Sequence, residues 1–278
     1  MQKNIRIIGL ALLIALMTVG CGKEYKKFSK WSRKGTVAQK DSAAFFFYER
    51  KDYDKASFLL EELQTAYRGQ PRAKEVLYAY AYSKYGSGYY TTAAFNFEQY
   101  SKLYPNDPLT PECMYMVGYC AYLESAPYYL DQAATLKAIN QFQLFINNYP
   151  VDERAEKANT LMVELRERLA QKAFENANVY YKIQNFRAAT KAFEVMIQEF
   201  PDSRYREEAQ FLWFKSAADL ADNSIFNKKK NRYLDALDLY ERFIDKYPNS
   251  VFLKDAEAAF VKAKKGYGKV LADEANGS

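Results

Sequence analysis

The sequence has no histidine among its 278 residues, only three cysteines and only 11 glycines. Without histidine the chain lacks the commonest general base and the commonest metal ligand at neutral pH. No glycine-rich phosphate loop is present, nor a CxxC pair, and the scattered serines form no nucleophile elbow. Acidic neighbours such as Glu61-Glu62 and Glu207-Glu208 read as solvated helix surface. These absences argue against an enzyme and imply no cofactor and no metal. The cysteines imply no bridge either. Cys113 and Cys120 are seven positions apart in "ECMYMVGYCAY", which is roughly 10.5 Å along a helix. Bridged cysteines need Cα atoms within about 7 Å, so both read as buried, small apolar side chains.

Long apolar runs are missing as well. The longest uncharged, mostly apolar stretch, Ile7 to Val19, has 13 residues and follows Lys3 and Arg6. A membrane span needs about 20 residues, so the run predicts an export signal over residues 1–20. Thr18-Val19-Gly20-Cys21 resembles the bacterial lipobox, which implies acylation of Cys21 as the first mature residue. The other reading is cleavage nearby with Cys21 left as a free thiol.

Charge is placed unevenly. Beyond the signal, 38 basic residues face 34 acidic ones. Residues 22–40 hold seven cations (Lys23, Lys26, Lys27, Lys30, Arg33, Lys34, Lys40) against Glu24, leaving the remaining body near −2. A near-neutral body speaks against nucleic acid. Residues 21–40 therefore read as a basic tether, either lying near anionic head groups or running free as a solvated linker.

What the sequence does contain is a repeat. "AAFNFEQYSKLYP", "AINQFQLFINNYP", "ATKAFEVMIQEFP" and "ALDLYERFIDKYP" share one frame. Ala93, Ala138, Ala189 and Ala236 are each followed after four residues by Phe97, Phe142, Phe193 or Tyr240. Tyr104, Tyr149, Phe200 or Tyr247 comes after eleven, and Pro105, Pro150, Pro201 or Pro248 after twelve. A fifth copy starts at Ala56, with Leu60 and Tyr67 in register and its proline late, at Pro71. The small residue lets a partner helix approach, the ring sits one turn along the same face, and proline stops the helix. Asn106, Asp107, Asp152, Asp202, Ser203, Asn249 and Ser250 follow as turn and N-cap residues. This frame resembles the tetratricopeptide repeat. It predicts an all-α, right-handed solenoid of about five helical hairpins over residues 41–268, with a disordered tail at 269–278. Anchor spacings of 37, 45, 51 and 47 residues predict insertions in "ESAPYYLDQA" and "LADNSIFNKKKNRYLD".

The tetratricopeptide frame turns positions 5, 9 and 12 of each first helix to a concave face, one stripe at i, i+4, i+7. Those positions are Asp41, Phe45 and Tyr48; Tyr78, Tyr82 and Tyr85; and, setting Gly118 at position 8, Tyr115, Tyr119 and Tyr122. An aromatic trough of this kind suits an extended or helical peptide. The other reading is that some of these rings pack only between helices.

Lipobox, basic segment and five lengthened units together resemble the BamD family, outer-membrane lipoproteins of the β-barrel assembly machine, and "YYKIQNFRAATKAFEVMIQEFPDSRYREEA" resembles that family's fourth repeat. The resemblance implies a lipid-anchored protein on the periplasmic side of the outer membrane. Its partners would be unfolded outer-membrane protein precursors, whose chains end in an aromatic, at the first units, and the POTRA domains of BamA, with other assembly-complex subunits, at the last. In "YPNSVFLKDA", Lys254 stands where the family carries a basic docking residue, usually arginine; exposed, solvated lysine is the other reading. Two further functions fit the same repeats: a general periplasmic scaffold coordinating envelope processes, or a glycan-binding surface lipoprotein.

Overall fold

The structure, a computed structural model, describes residues 22–275; Cys21 and residues 1–20, where the signal is expected, lie outside them. The described chain opens with helix α1 (residues 22–34). Five hairpins follow: α2 (Val37–Glu49) with α3 (Tyr53–Ala66), α4 (Ala73–Gly86) with α5 (Tyr90–Leu103), α6 (Thr110–Glu124) with α7 (Ala133–Asn148), α8 (Ala155–Lys182) with α9 (Phe186–Glu199), and α10 (Arg206–Asp222) with α11 (Phe226–Lys246). The last helix is α12 (Leu253–Ala275). The all-α repeat fold and its five pairs are thus present. Two expectations need correction. The segment expected as a tether is helical over 22–34, and the tail expected to be disordered is helical as far as Ala275.

The chain divides into two compact units, one comprising residues up to 125 with 133–159, the other 126–132 with 160 onward. In the first, each helix from α2 to α7 packs on its neighbour in sequence, and α2 also meets α4. In the second, α9 packs on α10, α10 on α11 and α11 on α12, and α10 meets α12. First helices of successive hairpins therefore lie side by side within each unit.

The repeat frame has a physical basis at every anchor. Ala56, Ala93, Ala138, Ala189 and Ala236 are fully buried, as are Leu60, Phe97, Phe142 and Phe193 at plus four. Helices end one residue before the ring of the ring-proline pair because the residue before a proline is disfavoured in the helical region. Tyr104, Phe200 and Tyr247 accordingly take φ near −127° (−129, −125 and −128) as C-caps. From Tyr104, Tyr149, Phe200 and Tyr247 the same turn then forms. Each ring residue's carbonyl accepts from the N–H three residues on, at Asp107, Asp152, Ser203 and Ser250. The side chains of those four accept from the N–H two residues further, at Leu109, Arg154, Tyr205 and Phe252. They are turn formers of the Asx and Ser type, as expected, but not also N-caps; the caps of α6 and α10 are Leu109 and Tyr205.

Both expected insertions are found, in different forms. Residues 125–132 make a loop between α6 and α7, while the second lengthens α11 to 21 residues. The 51-residue spacing arises from α8, which is 28 residues long. Cys113 and Cys120 are buried free thiols, and burial raises both above their ordinary pKa, Cys120 to about 12.

Short hairpins need a left-handed residue between their helices. Lys51 (φ 60°), Gly88 (φ 81°) and Gln184 (φ 61°) occupy equivalent places, two residues before the second helix. Only glycine adopts that conformation without Cβ strain. Lys51→Gly should therefore stabilise the chain by about 1 kcal/mol, raising Tm by about 2–4 °C, and Gly88→Ala should lower it by a similar amount; calorimetry reads both.

The acid limb of stability is equally specific. The Asp107 carboxyl is held below the usual carboxylate range by the Leu109 N–H and the Lys74 ammonium, and Asp152 by Arg154. A depressed folded pKa contributes stability that is present above the unfolded value and lost as pH falls through the folded one. With no histidine to titrate, Tm should vary little between about pH 6 and 8 and fall below about pH 4. Asp107→Asn should make that fall shallower.

Candidate peptide-binding face

In the first unit, α2, α4 and α6 bring seven of the eight predicted trough rings to half-buried positions: Phe45, Tyr48, Tyr78, Tyr82, Tyr85, Tyr119 and Tyr122. On α4, Tyr78 and Tyr82 lie 4.8 Å apart and Tyr82 and Tyr85 6.3 Å apart between centroids. Tyr85 reaches Tyr119 of α6 at 6.3 Å. Tyr119 stacks with Tyr122 at 5.9 Å and an interplanar angle of 16°. One ladder of rings thus crosses from α4 to α6. On α2, Phe45 and Tyr48 meet at 6.3 Å, with the Arg72 guanidinium 4.2 Å over Phe45. Asp41, at the same stripe's first place, pairs with that Arg72 at 3.1 Å.

Tyr115 is the exception and corrects the expectation. It is only 5% exposed, its ring 5.7 Å from Phe142 and 5.6 Å from Phe145 of α7, so it belongs to the core of the third hairpin. Its hydroxyl is buried without a hydrogen-bond partner, and burial pushes its pKa up to about 12.

The polar floor of the ladder is a residue that the sequence reading passed over. Glu112, near the start of α6, accepts hydrogen bonds from the hydroxyls of Tyr78, at 2.9 Å, and Tyr82. Burial, then the bond to Glu112, raises both phenols well above their ordinary range; burial raises Tyr48 to about 12. These rings are neutral donors at physiological pH. Arg154 closes the arrangement, with Nη1 3.7 Å from Glu112 Oε2 while its other side-chain bonds go to Asp152 at 2.7 and 2.8 Å. Lys157, exposed on α8, holds its ammonium 5.4 Å over the Tyr119 ring. Glu112 stands one turn before Tyr115 in the same stripe, and that spacing is the signal that could have found it.

A cleft of this unit lies elsewhere. About 750 Å³ opens among α3, α4 and α5, lined by Glu61, Arg68, Leu77, Tyr80, Phe95 and Leu103. Phe95 and Leu103 are about 60% exposed (59% and 61%). Tyr80 is on the face of α4 opposite the ladder. No sequence stripe marks this cleft, because its walls come from three helices of two hairpins.

In the second unit, Lys254 is the second residue of α12 and is exposed. It stands in the turn-then-helix that follows Pro248; further along α12, Lys262 pairs with Asp222 at 2.7 Å, and Tyr181 bonds Asp219 at 3.0 Å. Among the described residues no helix is long and apolar enough to cross a membrane.

Comparison with known proteins gives the family. The sequence model of the YfiO family, described as an outer membrane lipoprotein, matches residues 38–231, from the start of α2 into α11. A tetratricopeptide-repeat model matches residues 224–250, the span of α11 and its terminating proline. No curated protein matches the chain. Among solved structures, the TPR2AB domain of yeast Sti1 in its pHSP90 complex aligns over 82% of this chain and 98% of its own, at 15% identity and a TM-score of 0.39. A computationally designed self-assembling cyclic homo-oligomer aligns over 94% and 98% at 12% identity and a TM-score of 0.23. With the family model spanning the first four hairpins and α10, the chain belongs to the YfiO outer membrane lipoprotein family, that of BamD, and is a tetratricopeptide scaffold.

Proposed function

We propose that the chain serves outer-membrane protein assembly as a receptor and adaptor: its first unit binds unfolded barrel precursors on the tyrosine ladder, and its second docks BamA. The observation that carries the first half is the ladder itself. Tyr85, Tyr119 and Tyr122 present half-buried rings, Tyr85 packed against Tyr82 and Tyr119 stacked on core Tyr115. Tyrosine gives a large contact area with few rotors to order, and ring stacking contributes about 0.5–1.5 kcal/mol per pair beyond area burial. A chain end rich in alternating apolar and aromatic residues fits such a surface. The Lys157 ammonium beside Tyr119 adds a cation next to the rings, the sign that a terminal carboxylate requires.

The second half rests on family membership and on Lys254, an exposed cation on the first turn of α12. The work assigned to both units is binding, with no bond made or broken.

Tyr82 is a poor position to test, since its ring lies 4.9 Å from core Phe97 and its hydroxyl holds Glu112. Tyr85→Ser with Tyr119→Ser removes ligand-facing rings with less damage. By fluorescence anisotropy, the double variant should bind a labelled peptide with alternating apolar residues and a C-terminal Phe at least about tenfold more weakly, with its Tm nearly kept. Unchanged affinity would remove the ladder from client binding.

Docking is read separately. The tagged full-length chain, recovered from detergent-solubilised membranes, should bring BamA with it. Lys254→Glu should reduce that recovery while leaving peptide affinity intact. A wild-type chain that recovers no BamA would leave the general envelope scaffold as the better reading.

A further inference from the structure

The basic segment is held as a rigid stripe. Over 22–34 the helix α1 places Lys23, Lys26, Lys27, Lys30, Arg33 and Lys34 at i, i+3, i+4, i+7, i+10 and i+11, one arc of about 120° at 100° per residue. All six are exposed. The single acid, Glu24, falls outside that arc. The opposite face carries Tyr25, Phe28 and Trp31 and is anchored on the first hairpin. Phe28 stacks on Phe46 at 4.2 Å, and Tyr25 meets Phe47 edge-on at 5.6 Å. The Tyr25 hydroxyl lies 3.2 Å from Asp52 and 2.6 Å from the Lys55 ammonium. Gly35 and the Thr36–Gln39 capping box then start α2. The aromatic face is therefore occupied by the protein itself, and the cationic face is left outside with no acid upon it.

We infer that α1 is an electrostatic foot, a preformed helical surface that lies along an anionic lipid bilayer and holds the first unit against it. Charge complementarity selects the partner. Six cations along a helix about 18–20 Å long match a plane of phosphate head groups. The chain belongs to a lipoprotein family, so a bilayer is its expected neighbour. The expected acylation position, Cys21, immediately precedes the stripe. Phe28 and Trp31 do not insert, because they are packed against the first hairpin, and the exposed Tyr25 has its hydroxyl engaged by Asp52 and Lys55. This separates the foot from an interfacial amphipathic helix, whose apolar face would enter the lipid.

The test uses the chain from residue 22 to 278, which contains every described element and no acyl chain. It is sedimented with vesicles of phosphatidylcholine alone, or of phosphatidylcholine with one third phosphatidylglycerol. Binding is expected to the anionic vesicles only and to weaken as salt rises. Each cation near the surface is worth roughly fivefold in affinity. The variant Lys23→Gln, Lys26→Gln, Lys30→Gln, Arg33→Gln, Lys34→Gln should therefore lose at least about a hundredfold. Neutralising the same number of exposed lysines elsewhere (Lys182, Lys228, Lys264, Lys265 and Lys269 to Gln) should change little. Trypsin, which cuts after these very residues, should be blocked over 23–34 on anionic vesicles and not on neutral ones. Lys27 is kept in every variant because its ammonium packs 4.4 Å over Trp31, and circular dichroism checks that α1 persists. Equal binding to both vesicle types, equal loss in the two variants, or tighter capture of poly-glutamate than of anionic vesicles would each overturn the proposal.

Discussion

Several helices in this protein approach closely where a side chain is nearly absent and a ring fills the space. A Cβ added to Gly118 would stand 2.8 Å from the Phe142 ring. Tyr53 of α3 lies over Gly86 of α4, and Tyr233 of α11 over Gly266 of α12, closely enough that a methyl group on either glycine would meet the ring. The fully buried alanines of the second helices follow the same logic. Close approach lets the rings contact several helices at once, and in a close-packed interior those contacts supply the specificity of each hairpin's seating. The turn chemistry and the ladder both depend on this spacing.

Once hairpins are seated, the charge pattern becomes legible as function. Lys74 reaches from α4 to Asp107, which also accepts from Tyr100; Arg72 reaches Asp41. Such pairs, exposed on one side, contribute little individually and serve to fix register between neighbouring hairpins. Glu112 plays a different part, gathering two phenols and a guanidinium so that the outer rings stand in place before a ligand arrives. Preorganisation of that kind lowers the entropy cost of ordering side chains on binding. The basic stripe of α1 is preorganised in the same sense, its aromatic face already satisfied by Phe46 and Phe47.

Most of the fold and part of the site could be read from residue spacing. The Ala–ring–ring–Pro frame located four of the five second helices and their ends, because a proline's effect on the residue before it is local. The i, i+4, i+7 stripe located the ring ladder for the same reason, since helix geometry fixes which residues share a face. The failures have a common origin. Tyr115 satisfies the stripe as well as Tyr119 does, yet Phe142 and Phe145 of another helix close over it. The aspartates and serines after each proline form the expected turns but do not cap the next helix, whose N-cap lies two residues further on. A basic run with three interspersed aromatics resembled a tether until a hairpin supplied a surface for those aromatics.

The sequence by itself determined the helical frame, the number of hairpins, the buried state of the cysteines and the placing of aromatic and basic residues on particular helix faces, since all of these follow from periodicity and local backbone rules. The tertiary structure alone decided which rings are core and which are open, that Glu112 underlies the ladder, where the large cleft opens among α3, α4 and α5, and that α1 is docked. Each of those depends on what a residue far away in the chain places opposite it. No local pattern carries that information.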